Sequence, residues 1–468
     1  MTIAPDSAEA DRLLARVSLR LVPFLLILYV ISYLDRINLS FAAHPMMIDL
    51  HLSDQAYGFG GGIFFFGYCV FGIPSNFVIQ RFGPRRWISS IMVAWGLVTL
   101  CMCFVRDQNM FFTLRLILGV AEAGFFPGML LYLTYWFPPS QYGTAVARFM
   151  TAVPLAGVLG SMMASQALSW SGLGSIAGWQ WLFVITGLPA VLFGVATFFF
   201  LCDRPSQAKW LTREEGETIE AMAAVAGTKS GADPAANTDI DIGTTAGTEV
   251  ATETKTATAA DLAAQGSFSA VVRNILVWRF ALLYFSMSVC MYGFQLWLPQ
   301  IVQAFGRTSD SHTALISAIP ALFQGLGMQI IAGRSDRCGE RRFHLVASSA
   351  ITCIGLISAC LLGDAWIKLA GLCVAAFGIW GTLGPFWALT RKCLRPAAQP
   401  AGIAFINSVG GLGGFVGPYA VGIVKHAAPA LLGANSEFAG ALVVLAATAV
   451  LTAVLAATSP TGIDLPEP

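Results

Sequence analysis

Long apolar runs separated by short polar segments recur along the whole chain. A helix needs roughly 20 apolar residues to cross the hydrocarbon core of a bilayer, and each of these runs is about that long. The pattern predicts twelve transmembrane helices, over residues 18–43, 55–80, 87–105, 109–135, 143–169, 179–202, 275–303, 313–333, 343–362, 366–390, 399–424 and 437–458. It therefore indicates an all-α integral membrane protein.

A segment of different composition separates the sixth predicted span from the seventh. Residues 228–265 are mostly Ala, Thr, Gly, Asp and Glu, with few large apolar side chains. Because such a sequence cannot bury a core, we expect a flexible linker there. The predicted organisation is a six-helix bundle over 1–202, a largely disordered linker over 203–273 and a second six-helix bundle over 274–468. A short amphipathic helix near Lys209–Met222 is an alternative within that linker.

Lysine and arginine are unevenly distributed among the loops. If the N-terminus lies inside, the inner side holds five clusters of basic residues, whereas the outer loops hold at most about one basic residue each. The inner clusters are Arg12, Arg16 and Arg20; Arg81, Arg85 and Arg86; Arg204, Lys209 and Arg213; Arg334, Arg337, Arg341 and Arg342; and Arg391, Lys392 and Arg395. Because the number of spans is even, this bias predicts that both termini and the linker are cytoplasmic.

Composition supports the membrane class and excludes others. Only 11% of the residues are charged and 56% are hydrophobic, whereas a soluble domain carries about 25% charged residues. The net charge of +1 gives no electrostatic case for nucleic acid. The ten cysteines are scattered and are expected to be small buried side chains, with no metal site. Without a soluble catalytic domain or a nucleophile–base motif, we expect no enzyme activity and no cofactor.

A short basic motif occurs twice, at the same place in each half. Gln80-Arg-Phe-Gly-Pro-Arg-Arg-Trp87 follows the second span, and Asp336-Arg-Cys-Gly-Glu-Arg-Arg-Phe343 follows the eighth. The matched residues, 256 positions apart, are Arg81 and Arg337, Gly83 and Gly339, Arg85 and Arg341, and Arg86 and Arg342. A parallel repeat of six spans predicts a solute pathway at the midplane, between the two halves.

Charged residues lie inside two spans of the first half. Asp35 and Arg36 are in the first span, and Arg115 and Glu122 are in the fourth. Each would cost about 2.5–3.5 kcal/mol if it faced lipid, so a polar pathway is expected. The residues 256 positions further on are Met291, Tyr292, Gly371 and Gly378. Because the second half lacks these charges, the asymmetry favours a functional role over packing.

The charged groups suggest separate roles in transport. An arginine offers a planar fork that holds a carboxylate, and a carboxylate in a partly dry site can load and release a proton. The five histidines fall at span ends or in loops, so Asp35 and Glu122 are the candidates for proton coupling. The alternative is a structural network of two acid–arginine pairs that joins the first span to the fourth.

Two uncharged polar residues complete the candidate site. Tyr68 lies near the middle of the second span. Asn407 begins Asn-Ser-Val-Gly-Gly-Leu-Gly-Gly, a stretch where a helix can unwind beside a ligand. A packing role for Asn407 is the alternative.

Several motifs resemble the anion:cation symporter family of the major facilitator superfamily. They are Tyr33–Ser40 (YLDRINLS), Glu122–Pro127 (EAGFFP) and Trp136–Pro138 (WFP), while Phe294–Val302 and Ser335–Arg342 look most like its bacterial tartrate and organic-acid branch. The resemblance implies the major facilitator fold, with 12 transmembrane helices in two pseudo-symmetric six-helix halves. It also implies import of organic anions together with protons.

The resemblance assigns roles residue by residue. By the matching motifs, Arg36 and Tyr68 look like the residues that bind the substrate carboxylate, and Asn407 like one that contacts its polar groups. Asp35 and Glu122 look like the protonation sites, and Arg115 like the arginine that tunes them. The repeated loops look like gate elements whose charges pair across the inner surface when the transporter faces outward. Their residues are Arg81, Gly83, Arg85, Asp336, Arg337, Gly339 and Arg341, and Gln80 departs from the usual acid.

The sequence thus predicts a proton-coupled symporter that imports a small organic anion by alternating access. The anion is a tartrate-like hydroxy acid, a sugar acid or an aromatic carboxylate. The expected setting is a bacterial-type inner membrane, where the chain works as a monomer whose partners are the carboxylate, protons and lipid. The alternatives are an efflux carrier of an amphipathic compound and a transporter-like sensor that moves no solute.

Overall fold

The computed structural model describes residues 7–229, 271–306, 308–394, 399–432 and 438–460. Within these ranges the regular structure is helical and contains no strand. The first half comprises α1 (Ser7–Asp49), α2 (Asp54–Phe82), α3 (Pro84–Met102), α4 (Gln108–Glu122), α5 (Phe125–Trp136), α6 (Pro139–Met150), α7 (Ala152–Ser169) and α8 (Gly178–Phe200), followed by α9 (Arg213–Lys229).

The second half repeats this order of helices. It comprises α10 (Ile275–Gly306), α11 (Asp310–Ile316), α12 (Ala318–Cys338), α13 (Arg342–Leu361), α14 (Ala365–Gly381), α15 (Leu383–Cys393), α16 (Gln399–Gly411), α17 (Gly413–Leu432) and α18 (Ala439–Ala457). In the described part of the chain, nine segments are long and apolar enough to cross a membrane. The predicted all-α membrane class is confirmed.

Five of the predicted spans are each built from two helices rather than one. The interruptions separate α4 from α5, α6 from α7, α11 from α12, α14 from α15 and α16 from α17. Each interruption is one or two residues long, so the second helix continues along the same predicted span. Hydropathy does not register such breaks, because the side chains on either side remain apolar.

The packing of the helices repeats between the halves, span for span. Helix α3 packs against α8 in the first half, as α13 packs against α18 in the second. Likewise α2 packs against α4 as α12 packs against α14, and α1 against α7 as α10 against α17. The offset of 256 residues in the sequence therefore corresponds to a repeated three-dimensional arrangement.

The halves are joined by ion pairs at one end of the bundle. Lys425 Nζ on α17 lies 2.7 Å from Asp54 Oδ1 on α2, and His44 Nδ1 on α1 lies 2.9 Å from Asp310 Oδ1 on α11. These residues lie where α1 ends and α2 begins, which is the end away from Ser7 and from α9. The two halves are thus closed against each other at that end.

Part of the linker is folded against the first half. Helix α9 packs on α5, and the ring of Trp210, just before α9, stacks on that of Trp136 with centroids 5.9 Å apart. Arg16 Nη2 on α1 lies 2.6 Å from Glu215 Oε1 on α9. The helix suggested near Lys209–Met222 is therefore present, but it begins and ends later. Most of the linker predicted over 228–265 lies outside the described residues.

Candidate functional site

The neighbouring residues Asp35 and Arg36 contact different parts of the molecule. In an α-helix, successive side chains point about 100° apart. Asp35 has no exposed surface and contacts Thr99 of α3, inside the first half. The Arg36 side chain keeps 14% exposure and reaches Glu122 of α4. The adjacent charges therefore do not form one self-contained ion pair.

Arg36 forms a buried ion pair with Glu122. Its Nε donates to Glu122 Oε2 across 2.9 Å, and the Glu122 side chain has no exposed surface. Glu122 is the last residue of α4, directly before the interruption at residues 123–124. A Cβ atom on Gly124 would lie 1.7 Å from Ser75 Oγ, so only glycine lets the interrupted chain pass this close to α2.

Aromatic rings surround the rest of the Arg36 guanidinium. Its central carbon lies 4.8 Å from the centroid of the Tyr68 ring and 5.9 Å from that of Phe64. Tyr292, from the second half, is a further electrostatic neighbour. Arg36 Nη2 is buried and has no hydrogen-bond partner among the described residues. An always-charged fork with a free donor beside the other half can hold an incoming carboxylate.

Arg115 is buried against the backbone of α2 rather than in an ion pair. Its Nε and Nη2 donate to the carbonyl oxygens of Gly60 and Gly61 across 3.3 and 3.5 Å, and its guanidinium lies 4.9 Å from the Phe64 ring centroid. The helices approach closely because Gly119 has no Cβ atom. Such an atom would lie 2.0 Å from the carbonyl oxygen of Phe64.

The carboxyl groups of Asp35 and Glu122 form a second buried cluster. Asp35 Oδ1 accepts hydrogen bonds from Thr99 Oγ1 at 2.7 Å and from Asn38 Nδ2 at 3.1 Å. The two carboxyl groups are electrostatic neighbours of each other, and Arg115 is an electrostatic neighbour of both. Asp35 Oδ2 and Glu122 Oε1 have no hydrogen-bond partner among the described residues. A proton can bind at either of these two unpartnered oxygen atoms.

The alternative role for the four charged residues is a structural network that joins the first span to the fourth. That alternative requires two acid–arginine pairs between the first and fourth spans, whereas the described residues form one, Arg36 with Glu122. Sequence reasoning missed Thr99, because a threonine in an apolar span carries no signal until its neighbours are known. It also missed the hydrogen bond across the halves between Tyr33 and Gln295, at 3.0 Å.

Asn407 does not join this cluster. It lies on α16 with an exposed side chain, and no described contact links it to Arg36. The glycine-dense stretch that it begins is nevertheless interrupted, as the sequence suggested, where α16 ends at Gly411 and α17 begins at Gly413. Its role in substrate contact therefore stays a prediction.

The first of the two repeated basic loops, Gln80–Trp87, is tied to the end of α8. The backbone N–H of Arg85 donates to Asp203 Oδ1 across 2.9 Å, and Arg85 Nε donates to the Phe198 carbonyl oxygen across 2.6 Å. Gly83 has a φ of +83°, a conformation that glycine adopts most readily. Arg81 is exposed. Asp203 thus supplies a carboxylate in a loop whose usual acidic position is Gln80.

In the second repeated basic loop, Asp336–Phe343, the acid that pairs with an arginine belongs to the loop itself. Arg341 pairs with Asp336 and donates to Ser335 Oγ across 3.1 Å. The residue 256 positions after Asp203 is Ser459, whose carbonyl oxygen accepts a hydrogen bond from Arg342 Nη1 at 3.3 Å. Gly339 also has a positive φ, of +67°, and Arg337 is exposed. The acid that contacts the first loop is therefore Asp203, which follows α8, whereas the acid that pairs with Arg341 is Asp336 of the second loop itself.

Known proteins resemble this chain over almost its full length. The model of the Major Facilitator Superfamily matches residues 25–418. A candidate tartrate transporter of Agrobacterium vitis is 38% identical over 466 residues, which cover 99% of this chain and 95% of that protein. A quinolone resistance transporter of Acinetobacter baumannii is 35% identical over 410 residues, which cover 88% of each.

Solved structures share the fold at low sequence identity. A bacterial homolog of the human lysosomal transporter Spinster, in an inward-facing and unoccupied conformation, has a TM-score of 0.71 at 17% identity and covers 97% of this chain and 98% of its own. A D-xylose–proton symporter has a TM-score of 0.68 at 15% identity, with 95% and 98% covered. The resemblance predicted from the motifs is confirmed, and the chain belongs to the Major Facilitator Superfamily.

Proposed function

We propose that this transporter is a proton-coupled symporter that imports a small organic anion by alternating access. The observation that carries the proposal is the buried pair of Arg36 and Glu122, together with an Arg36 Nη2 donor that has no partner among the described residues. Intramembrane ionisable residues usually mark a solute or proton pathway. The setting that we propose is a bacterial inner membrane, with both termini cytoplasmic and the monomer as the working unit.

Competition for Arg36 gives a physical basis for coupling. While Glu122 is ionised, it occupies one donor of the Arg36 guanidinium. A proton on Glu122 removes the negative charge, so the guanidinium becomes available to hold a substrate carboxylate bidentately. Binding of the anion and binding of the proton therefore favour each other. Asp35, whose buried Oδ2 has no partner among the described residues, is a second place for a proton.

The proposed cycle also needs a pathway that opens at one side at a time. The ion pairs of Lys425 with Asp54 and of His44 with Asp310 close the end away from the termini. The gate arginines Arg85 and Arg341 contact partners in their own halves. With the termini in the cytoplasm, these contacts between the halves lie at the outer end and must break before substrate enters from outside.

The substrate class is proposed from the site and from the relatives together. Arg36, with Tyr68 over its guanidinium and Tyr292 nearby, suits a small carboxylate with hydroxyl groups or an aromatic ring. Relatives at 38% identity are candidate tartrate transporters. We propose hydroxy acids such as tartrate first, then sugar acids and aromatic carboxylates. Uptake of such a panel into proteoliposomes under an inward proton gradient tests the proposal, and failure of every acid to accumulate would refute it.

Efflux of an amphipathic compound is the second candidate. One observation favours it, because the quinolone resistance transporter of Acinetobacter baumannii is 35% identical over 88% of this chain. The buried Arg36–Glu122 pair argues instead for a defined anion site. Expression in a strain without its own efflux pumps distinguishes the two, since raised drug resistance without acid uptake would support efflux.

A sensor that moves no solute would need the linker to carry its signal. We expect deletion of residues 230–266, which leaves α9 intact, to preserve uptake. Loss of all uptake in that variant would favour the sensor.

A further inference from the structure

The Thr99 hydroxyl makes a different kind of hydrogen bond from those of other buried threonines in the first half. Threonines within helices commonly donate to the carbonyl oxygen one turn earlier, as Thr186 does to Leu182 and Thr197 does to Phe193, across 2.9 and 2.7 Å. The Thr99 hydroxyl instead donates to Asp35 Oδ1 across 2.7 Å. Because a hydroxyl has one hydrogen, Thr99 gives up the helix bond in order to contact Asp35.

Asn38 extends this contact to a third helix. Its Nδ2 has two hydrogens, which point to Asp35 Oδ1 at 3.1 Å and to Thr186 Oγ1 at 3.0 Å. Asp35 is thereby tied to α3 through Thr99 and to α8 through Asn38 and Thr186. All four side chains are buried. This network lies on the side of α1 that faces the first half, away from Arg36 and the pathway between the halves.

The network leaves the two oxygens of Asp35 in different states. Oδ1 already accepts two hydrogen bonds, whereas Oδ2 is buried and has no partner among the described residues. Glu122 Oε1 is also buried without a partner in this part of the chain. The free oxygen of each carboxyl group is the one that remains to take up a proton.

The internal repeat supplies a control for this network. The residues 256 positions after Asp35, Asn38, Thr99 and Thr186 are Met291, Phe294, Gly355 and Leu442. In the second half, a Cβ atom on Gly355 would lie 2.3 Å from the backbone nitrogen of Ala375, so this position serves close packing of α13 on α14. The second half lacks both the acid that matches Asp35 and the donors that match Asn38 and Thr99. The donors therefore accompany the acid and are not required by the fold.

We infer that Thr99 and Asn38 are positioning residues that hold Asp35 by Oδ1 and so leave Oδ2 as the oxygen that takes up the proton. Both donors stabilise the carboxylate, so they also set the pH at which Asp35 is loaded. The charged groups that face Asp35 are Glu122 and Arg115, both on α4. Among the described contacts of Asp35, α3 presents a hydroxyl group and no titratable side chain. The consequence for transport rests on the function proposed above.

The test removes one donor without changing the packing. Thr99→Val has the shape of threonine but no hydroxyl, so the carboxylate loses a hydrogen bond. We expect the pH of half-maximal proton-driven uptake to move up by about one unit. Thr99→Ser keeps the hydroxyl and should restore the wild-type profile. Thr197→Val, at a buried threonine that bonds its own helix, should leave the profile unmoved. An unmoved profile in Thr99→Val would overturn the inference.

A second readout does not depend on transport. The infrared band of the protonated Asp35 carboxyl, assigned by its loss in Asp35→Asn, is titrated in lipid nanodiscs. In Thr99→Val this band should persist to a pH about one unit higher than in the wild type. If the band titrates at the wild-type pH, the positioning role is wrong, whatever the uptake shows. If the wild type instead accumulates no acid while the band shifts, the proposed symport fails and the positioning role stands.

Discussion

Arg36 Nε on α1 donates to Glu122 Oε2 on α4 across 2.9 Å, and Asp35, the residue before Arg36, takes no part in that pair. Asp35 is held instead by Thr99 and Asn38. The two neighbouring charged side chains therefore lie in different environments. Arg36 faces the second half, and Asp35 lies inside the first half. Glu122 is bonded to Arg36 through one oxygen and is an electrostatic neighbour of Asp35.

Replacing Arg36 with lysine tests the substrate role of the guanidinium. Arg36→Lys keeps the positive charge but loses the planar fork that can hold Glu122 or a carboxylate through two donors. We expect the KM for the transported acid to rise at least about tenfold, since one charge-assisted hydrogen bond is lost. Initial uptake rates over a range of acid concentrations measure this. Arg213→Lys, at an exposed arginine on α9, is the matched control. Equal KM values in the two variants would contradict the assignment.

The ion pair between Lys425 and Asp54 should stabilise the state in which the end away from the termini is closed. The side chains are only 11% and 21% exposed, and the pair joins α17 to α2 across the halves. Asp54→Asn removes the ion pair. About 1–2 kcal/mol is expected for a pair this far buried, which is a roughly five- to thirtyfold change in the ratio of the two states.

Distances between spin labels measure this change directly. Labels at Gln55 and His426, both exposed and close to the pair, are introduced in a cysteine-free background. Asp54→Asn should add a longer-distance population. Glu217→Gln, which breaks the exposed pair with Arg213 on α9, should not. If both variants leave the distribution unchanged, the ion pair does not bias the conformational equilibrium.

The close approach of α2 and α4 should depend on Gly119. In Gly119→Ala the new Cβ atom would lie 2.0 Å from the Phe64 carbonyl oxygen, so the helices must separate. We expect a loss of about 1–3 kcal/mol in stability, visible as a lower midpoint of thermal unfolding in detergent. Gly143→Ala on α6, where no atom lies within 4 Å of the new Cβ atom, should not lower the midpoint and gains about 0.5–1 kcal/mol of helix propensity. A similar midpoint for both variants would mean that α4 is not packed as described.

Much of the fold could be predicted from the sequence, because hydropathy and the repeat are properties of the chain itself. The apolar runs predicted the spans, and the match of Arg85 with Arg341 predicted two equivalent halves, which the packing of α3 on α8 and of α13 on α18 repeats. The interruption after Glu122 was not predictable in this way. It depends on Gly124 passing Ser75, a contact between residues far apart in the chain.

The charged members of the site were predictable, but their partners were not. A charge inside an apolar run is conspicuous, so Arg36 and Glu122 stood out. That they pair with each other depends on how α1 and α4 are oriented in the bundle. Thr99 and Asp203 are ordinary residues in sequence, and only the folded structure gives each its partner. Residues that act by holding others are therefore the part of the site that sequence misses.

Glu122→Gln tests the central claim most directly, because it removes the titratable group between Arg36 and Asp35 while keeping the shape of the side chain. The measurement compares two modes of transport in the same proteoliposomes, namely accumulation of labelled acid under an inward proton gradient and exchange of labelled for unlabelled acid without a gradient. If Glu122 links anion binding to proton binding, the variant should retain exchange and lose accumulation, whereas the wild type shows both. Accumulation in Glu122→Gln at the wild-type level would contradict the account.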